Sequence, residues 1–503
     1  MSSPPEPGRR DTSSTARRPH APVVDTTRER PMTTTLRPRA RGGTPVLPVP
    51  PSGSPALPVP GRRPGPGHAS PSRPGRDRFL DVLRLLVMVL VVLQHWWFPV
   101  LGDGPRGLST DSVLSVPGAS AMTWVSQVMP LIFFVGGAAN LISRRSASSG
   151  GVAPTTWVAR RLRRLAWPVV PLAAVWLAAT HLLALGGVPE QPVAVAAGAA
   201  GIVLWFLAVY VLVVVATPVL LPLQDRFGWR VAAGLFAGAA AVDLTRFATG
   251  VDGFGYANVV FVWLGVHQLG LLYGAGALRP RRAGALAAGG AVAVTALMLT
   301  GQYSPNMTGV FAMEASNAGP PTLVLAALGA VQVGAAVLLR RWITAWADRP
   351  GPARVLDGVC PKLMTVYLWH MLPVSLVAGV QVYVFGVDTP EPLTAAWLGW
   401  GLAGTAALLP LTAALACLTA RFETPPAPLR GAPGTLRALA AAALVGGGLG
   451  VLVAAGLGTG WTPVLGLGAV VAGLLFTRGA HGVRAVDFPR PWHVVWPGTV
   501  RAR

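Results

Sequence analysis

The feature that most constrains this chain is a series of apolar runs, each about 20 residues long, separated by short loops whose only frequent charge is arginine. A bilayer's hydrocarbon core is about 30 Å thick and needs roughly 20 apolar residues of helix to cross it. The backbone must also satisfy its own hydrogen bonds there, which helices do within one segment. The runs fall at 79–101, 120–143, 165–186, 203–222, 231–248, 257–278, 283–301, 320–341, 361–386, 394–420, 434–457 and 461–477. The expected fold is therefore all-α and polytopic, with about 12 transmembrane helices. Residues 193–222 are too long for one span, so Val193–Gly201 reads as an interfacial or re-entrant piece.

The loops supply direction. On alternate loops stand Arg144, Arg145, Arg160, Arg161, Arg163 and Arg164; Arg226 and Arg230; Arg279, Arg281 and Arg282; Arg340, Arg341, Arg349, Arg354 and Lys362; and Arg421, Arg430 and Arg437. In the intervening loops only Arg106 is basic, and acids stand there instead: Asp103, Asp111, Glu190, Asp252, Glu314, Asp388 and Glu391. By the positive-inside rule the arginine loops are cytoplasmic, as are both termini. The expected location is the plasma membrane. The net charge of +22, almost all arginine, follows from this placement and from a basic tail, so it does not call for nucleic acid.

Residues 1–78 are rich in Pro, Gly, Ser, Thr and Arg without apolar periodicity, and read as a disordered cytoplasmic tail. The membrane core is expected over 79–420, two further helices over 421–477, and a short cytoplasmic tail over 478–503. Cys360 and Cys417 are too few for a disulfide or metal framework, and no metal or bound cofactor is expected.

Chemistry concentrates in the first run. Arg84 and His95 are eleven residues apart, about 20° from a whole number of helical turns, so they share a face roughly 16 Å apart along the axis. An arginine inside a membrane helix costs about 2.5–3.5 kcal/mol on insertion scales, and such groups normally face a bundle interior or a wet cavity. Asp81, three residues before Arg84, can pair with it. At that separation Arg84 cannot tune the imidazole directly. A long ligand fits better, with phosphate at the arginine and a reactive group at the histidine, which can act as a general base. The bland reading is a snorkelling Arg and a His satisfied by a neighbouring helix. Arg160, Arg161, Arg163 and Arg164 form a second basic cluster. They suit a polyphosphate gripped bidentately, or equally membrane anchoring and contact with anionic lipid.

Taken together, these residues resemble the acyltransferase-3 family of integral-membrane acyltransferases. Its first-helix pattern matches Asp81-Val82-Leu83-Arg84 followed by His95. Its R-x-x-R element matches both Arg160–Arg163 and Arg161–Arg164. MPLIFFVGG (129–137), LWFLAVYVLVVVATPVL (204–220) and TVYLWHMLPV (365–374) resemble its later helices. The resemblance implies a ten-helix core that transfers an acyl group, often acetyl, from cytoplasmic acyl-CoA as co-substrate. The acceptor it implies is a hydroxyl on a glycan, glycolipid or small molecule. It implies His95 as catalytic base, Arg84 as a donor contact, and the arginine cluster as the holder of the donor's phosphates.

Asp81, His370 and Glu314 are the remaining candidates for a cavity or acceptor site. His370 reads either as a hydrogen-bonded core residue or as a cavity-lining one, and Glu314 either as an acceptor contact or as a solvated loop acid. Asp243 and Arg246 read as a structural ion pair, and His267 as a packing residue. Membrane lipids are expected partners. The competing function is a multi-pass transporter or exporter of a lipid-linked or small-molecule substrate, because twelve spans with cytoplasmic ends also suit one.

Overall fold

The computed structural model describes residues 77–104, 107–309, 316–425 and 431–479. Of the expected tails 1–78 and 478–503, residues 1–76 and 480–503 lie outside the described residues, as does Glu314, while Arg78 already belongs to the first helix. Helix α1 (Arg78–Trp97) starts behind Asp77, whose carboxylate accepts from Phe79 N at 3.1 Å as an N-cap. It stops short of the expected residue 101 because Pro99 lacks the N–H a helix needs. The chain instead forms an antiparallel hairpin, β1 (Pro99–Gly104) on β2 (Gly107–Ser112), with Pro99 opposite Ser112. This hairpin caps the acidic face of the bundle and was not expected from the sequence.

Helices α2 (Ala121–Ser126) and α3 (Met129–Ser149) follow, then α4 (Pro154–Ala166) and α5 (Val169–Leu185). The arginine cluster, expected in a loop, therefore lies on a helix, which begins with Pro154 in its first turn. Residues 193–201 are helical. They belong to α6 (Glu190–Ile202), which runs on into α7 (Trp205–Phe227) within one 38-residue apolar stretch. Next come α8 (Trp229–Thr249), α9 (Asn258–Gly274), α10 (Pro280–Leu299) and α11 (Leu323–Ala347). Helix α12 (Pro350–Val359), read as loop in the sequence, leads into α13 (Leu363–Trp369) and α14 (Met371–Gly379). The last three are α15 (Ala395–Thr419), α16 (Thr435–Ala455) and α17 (Trp461–Phe476).

Among the described residues, ten segments are long and apolar enough to cross a membrane, and residues 350–384 make an eleventh if the pair of helices bent by 46° between Trp369 and Met371 is one span. At 16 residues α17 reaches only about 24 Å, less than the roughly 30 Å of a hydrocarbon core. The polytopic all-α architecture is thus present.

The bundle centres on α3 and α9, whose crossing is backbone against backbone. A Cβ on Gly137 would meet the His267 carbonyl, and one on Gly270 the Phe134 carbonyl. Small residues allow this approach where lipid offers no hydrophobic drive to pack. The approach sets fully buried His267 with its Nε2 3.3 Å from Asn140 Nδ2, a structural contact. Helix α1 lies against α3, α11, α13 and α15. The C-terminal pair α16–α17 packs on α4, α5, α6 and α7.

On the acidic face the expected Asp243–Arg246 pair does not form. Arg246 binds Asp252 at 2.9 Å. Asp243, 1% exposed, accepts from Asn258 (2.7 Å), Leu323 N (2.8 Å) and Tyr303 OH (3.1 Å). Burial, with Asp243 beside it, pushes the Tyr303 phenol up from its usual range and keeps it a donor.

Candidate functional site

Arg84 lies in the second turn of α1 and His95 in its last turn. Arg84 binds Asp81 at 3.4 Å, so Asp81 belongs to the basic end of the helix and not to the histidine end. Two further contacts fix that end. Arg78 grips Asp357 of α12 with both nitrogens (2.7 and 3.1 Å), and Tyr273 of α9 donates to Asp77 at 2.8 Å.

At the other end of α1, His370 meets His95. Its Nε2 is 3.2 Å from His95 Nδ1, and the ring centroids are 5.0 Å apart. His370 is fully buried and stands at the bend between α13 and α14, which turns its ring toward α1. The contact fixes both tautomers. His370 Nδ1 lies 2.7 Å from the Tyr367 carbonyl, which can only accept, so Nδ1 carries the proton. Neutral His370 therefore offers a bare Nε2, and His95 donates to it through Nδ1–H. That leaves His95 Nε2 with its lone pair free of this contact, as a general base requires.

A ladder of rings links the two ends. From His370 it runs to Tyr367 (6.3 Å between centroids), then Phe206 (5.8 Å), then Tyr210 (5.5 Å). Tyr210 lies in the electrostatic field of Arg161 and Arg84. The histidines, the LWFL segment and the arginines thus adjoin one continuous structure. Tyr367 is held by donating its hydroxyl to the Val203 carbonyl, in the short turn between α6 and α7.

The four arginines of α4 divide. Arg161 and Arg163 are two residues, or about 200°, apart around the helix. Arg161 and Arg164 face Arg84, and each lies within electrostatic range of the other two. Arg161 also donates to the Ala139 carbonyl at 3.3 Å and lies 5.5 Å over the Trp157 ring. Arg164 feels Glu423, whose carboxylate accepts from Thr365 N at 3.0 Å and from the Thr365 hydroxyl. Arg163 turns the other way, toward α17. Arg160 is half-buried on the same helix. Three guanidinium groups gather here with Asp81 on Arg84 and Glu423 near Arg164, a predominantly basic region that suits an anion.

Tyr210, Tyr367 and Glu423 were not singled out in the sequence. Tyr210 and Tyr367 each lie in a recognised segment, and Tyr210 is one turn from Phe206. Glu423 carries no local signal, because its partners are 58 residues away in Thr365 and still further in Arg164.

A family model described as an acyltransferase domain matches residues 77–420. The chain belongs to the acyltransferase-3 family. It is a multi-pass membrane acyltransferase, and the match spans every residue of the ladder and the arginine cluster of α4. Family membership favours an enzyme over the transporter reading. Glu423 and the α16–α17 pair lie beyond the matched segment. No significant match was found among curated proteins or among solved structures.

Proposed function

We propose that this acyltransferase moves an acyl group, often acetyl, from acyl-CoA to a hydroxyl of a glycan, glycolipid or small molecule, with His95 as general base. The observation that carries the reading is the contact between His95 Nδ1 and His370 Nε2 at 3.2 Å. It orients the imidazole and leaves Nε2 to accept a proton, the part an acid-held histidine plays in hydrolytic triads.

In this reading Arg84, Arg161 and Arg164 bind the donor's phosphates, since guanidinium forks match phosphate oxygens. The thioester arm lies along Tyr210, Phe206 and Tyr367 toward His95. Helix α1 provides the length, about 16 Å between its arginine and histidine. His95 Nε2 takes the acceptor's hydroxyl proton while that oxygen attacks the thioester carbonyl carbon. The C–S bond then breaks, and the thiolate of CoA leaves with the proton held on His95. His370 Nε2 accepts a hydrogen bond from the transient imidazolium and so stabilises it. The arginine face is cytoplasmic by the positive-inside rule, which presents the donor site to cytoplasmic acyl-CoA and places both termini inside a plasma membrane.

The test uses membranes holding equal amounts of wild-type and His95→Ala protein, supplied with radiolabelled acetyl-CoA. Label should appear in extracted membrane products only with wild type. Equal transfer by both sinks the assignment of His95. Substrate flux through reconstituted vesicles without any acyl donor would restore the transporter reading.

A further inference from the structure

Helix α13 carries Tyr367 and leads to His370, yet its own N-cap residue cannot cap it. That residue is Lys362, whose ammonium only donates. The first amides of a helix need an acceptor, which an N-cap side chain usually offers to the second or third of them. Here the acceptor comes from 58 residues away. Glu423 Oε1 takes the Thr365 amide at 3.0 Å and also the Thr365 hydroxyl. Thr365 is the third residue of α13 and is 1% exposed, so bulk water does not stand in for that bond. Glu423 closes the single turn Ala420–Glu423 that follows α15. A second contact joins the same two elements, with Lys362 Nζ 3.5 Å from Cys417 Sγ of α15. The end of α15 therefore holds the start of α13.

Helix α13 is a short lever. It runs seven residues and packs against α1 and α15. From Thr365 to His370 is about 7.5 Å along the axis. At the far end His370 Nε2 meets His95 Nδ1 at 3.2 Å. Between the two, Tyr367 donates to the Val203 carbonyl. A shift at Thr365 thus reaches the histidine contact within two turns, and a misplacement of 1 Å at a catalytic group can cost roughly a hundredfold in rate. An uncharged side chain would cap a helix as well as a carboxylate does. The charge has a second use, because Glu423 lies in the field of Arg164 on α4. One carboxylate adjoins both the donor end of the site and the helix that aims His370.

We infer that Glu423 is a positioning residue for the transfer: its carboxylate anchors the first turn of α13 and through that turn sets His370 against His95. As a counter-charge near Arg164 it also competes with the donor's phosphates for that arginine. The catalytic consequence rests on the reading of His95 as base, whereas the anchoring does not. Thr365 and His370 lie within the segment matched to the family and Glu423 lies beyond it, so the anchor is supplied from outside that segment.

Full-length wild type, Glu423→Ala and Glu423→Gln provide the test, by hydrogen–deuterium exchange in detergent and by initial rates in membranes supplied with radiolabelled acetyl-CoA. Glutamine keeps an oxygen that accepts from Thr365, whereas alanine leaves a buried amide without its partner. Exchange over residues 363–371 should be about tenfold faster in Glu423→Ala and close to wild type in Glu423→Gln. The alanine variant should lose about tenfold or more in kcat, and glutamine should recover most of it. With the anchor kept and the charge gone, Glu423→Gln should lower the donor's KM about two- to fivefold, the scale of a partly exposed charge pair. Unchanged exchange in Glu423→Ala overturns the anchor. Faster exchange with a wild-type kcat overturns the positioning role, as do equal kcat losses in the alanine and glutamine variants. A higher donor KM in Glu423→Gln overturns the competition with phosphate. His95→Ala, run alongside, separates the two readings: if it transfers label like wild type the base assignment falls, and the exchange over 363–371 still decides the anchor.

Discussion

The two ends of helix α1 solve opposite problems. At the His95 end two neutral rings hold each other at 3.2 Å, and a bend in the partner helix aims one at the other. At the Arg84 end three guanidinium groups crowd together and are offset by Asp81 and Glu423. The first end is organised by tautomer and direction, the second by charge. A group that acts in the transition state changes kcat, whereas one that grips a distant part of the substrate changes KM. The difference between the ends is therefore a kinetic prediction.

The largest effect is expected from His95→Ala, which removes the base. General bases contribute roughly 10²–10⁴-fold, so kcat should fall by about that factor while the donor's KM stays close to wild type. Initial-rate kinetics in membranes with matched protein levels measure both. A KM change with an intact kcat would erase the distinction between the two ends.

His370→Ala comes next. It leaves the base in place but frees its ring to turn and to change tautomer. The loss should be roughly 10–100-fold in kcat, below the ~10⁴ seen when an acidic partner of a catalytic histidine is neutralised. His370→Gln keeps an acceptor for His95 Nδ1–H and should recover part of the rate. If alanine and glutamine behave alike, His370 fills space and does not orient its neighbour.

At the charged end, Arg161→Ala and Arg164→Ala each remove a grip on the donor. Hydrogen bonds to charged groups are worth about 1.5–3 kcal/mol, so donor KM should rise roughly tenfold or more with a smaller change in kcat. Raising the salt concentration should weaken donor binding in wild type in the same direction, to the extent that the site is reached by ions. Arg160→Ala serves as the contrast on the same helix, with a smaller KM change expected.

Much of this was legible in the sequence, for stated reasons. Apolar run length gave the helices, and helical periodicity put Arg84 and His95 on one face. Four arginines in five positions announced an anion site but could not be divided, since facing requires knowing which neighbours α4 has. Pro99 ended α1 earlier than hydropathy suggested, because Val100 and Leu101 are apolar enough to extend a run but follow a residue that cannot continue a helix. Asp243 and Arg246 looked like a pair because spacing is local, yet Asn258, Tyr303 and the Leu323 amide come from segments 15 to 80 residues away. The His95–His370 contact, across 275 residues, depends on a bend that no local pattern in YLWHML announces.

Tyr210 gives the finest test, because it sits where the two ends meet. Its ring continues the ladder that reaches His370, while its hydroxyl lies in the field of Arg161 and Arg84. Tyr210→Phe keeps the ring and removes only the hydroxyl. If the hydroxyl helps hold the donor, the loss is that of one neutral hydrogen bond, about 0.5–1.5 kcal/mol, or roughly 2–10-fold in donor KM. The rate at saturating donor should hardly move, because the ring that lines the path is still there. A fall in kcat with unchanged KM would instead place Tyr210 with the histidines, and the border between the binding end and the chemical end would shift by one rung toward the arginines.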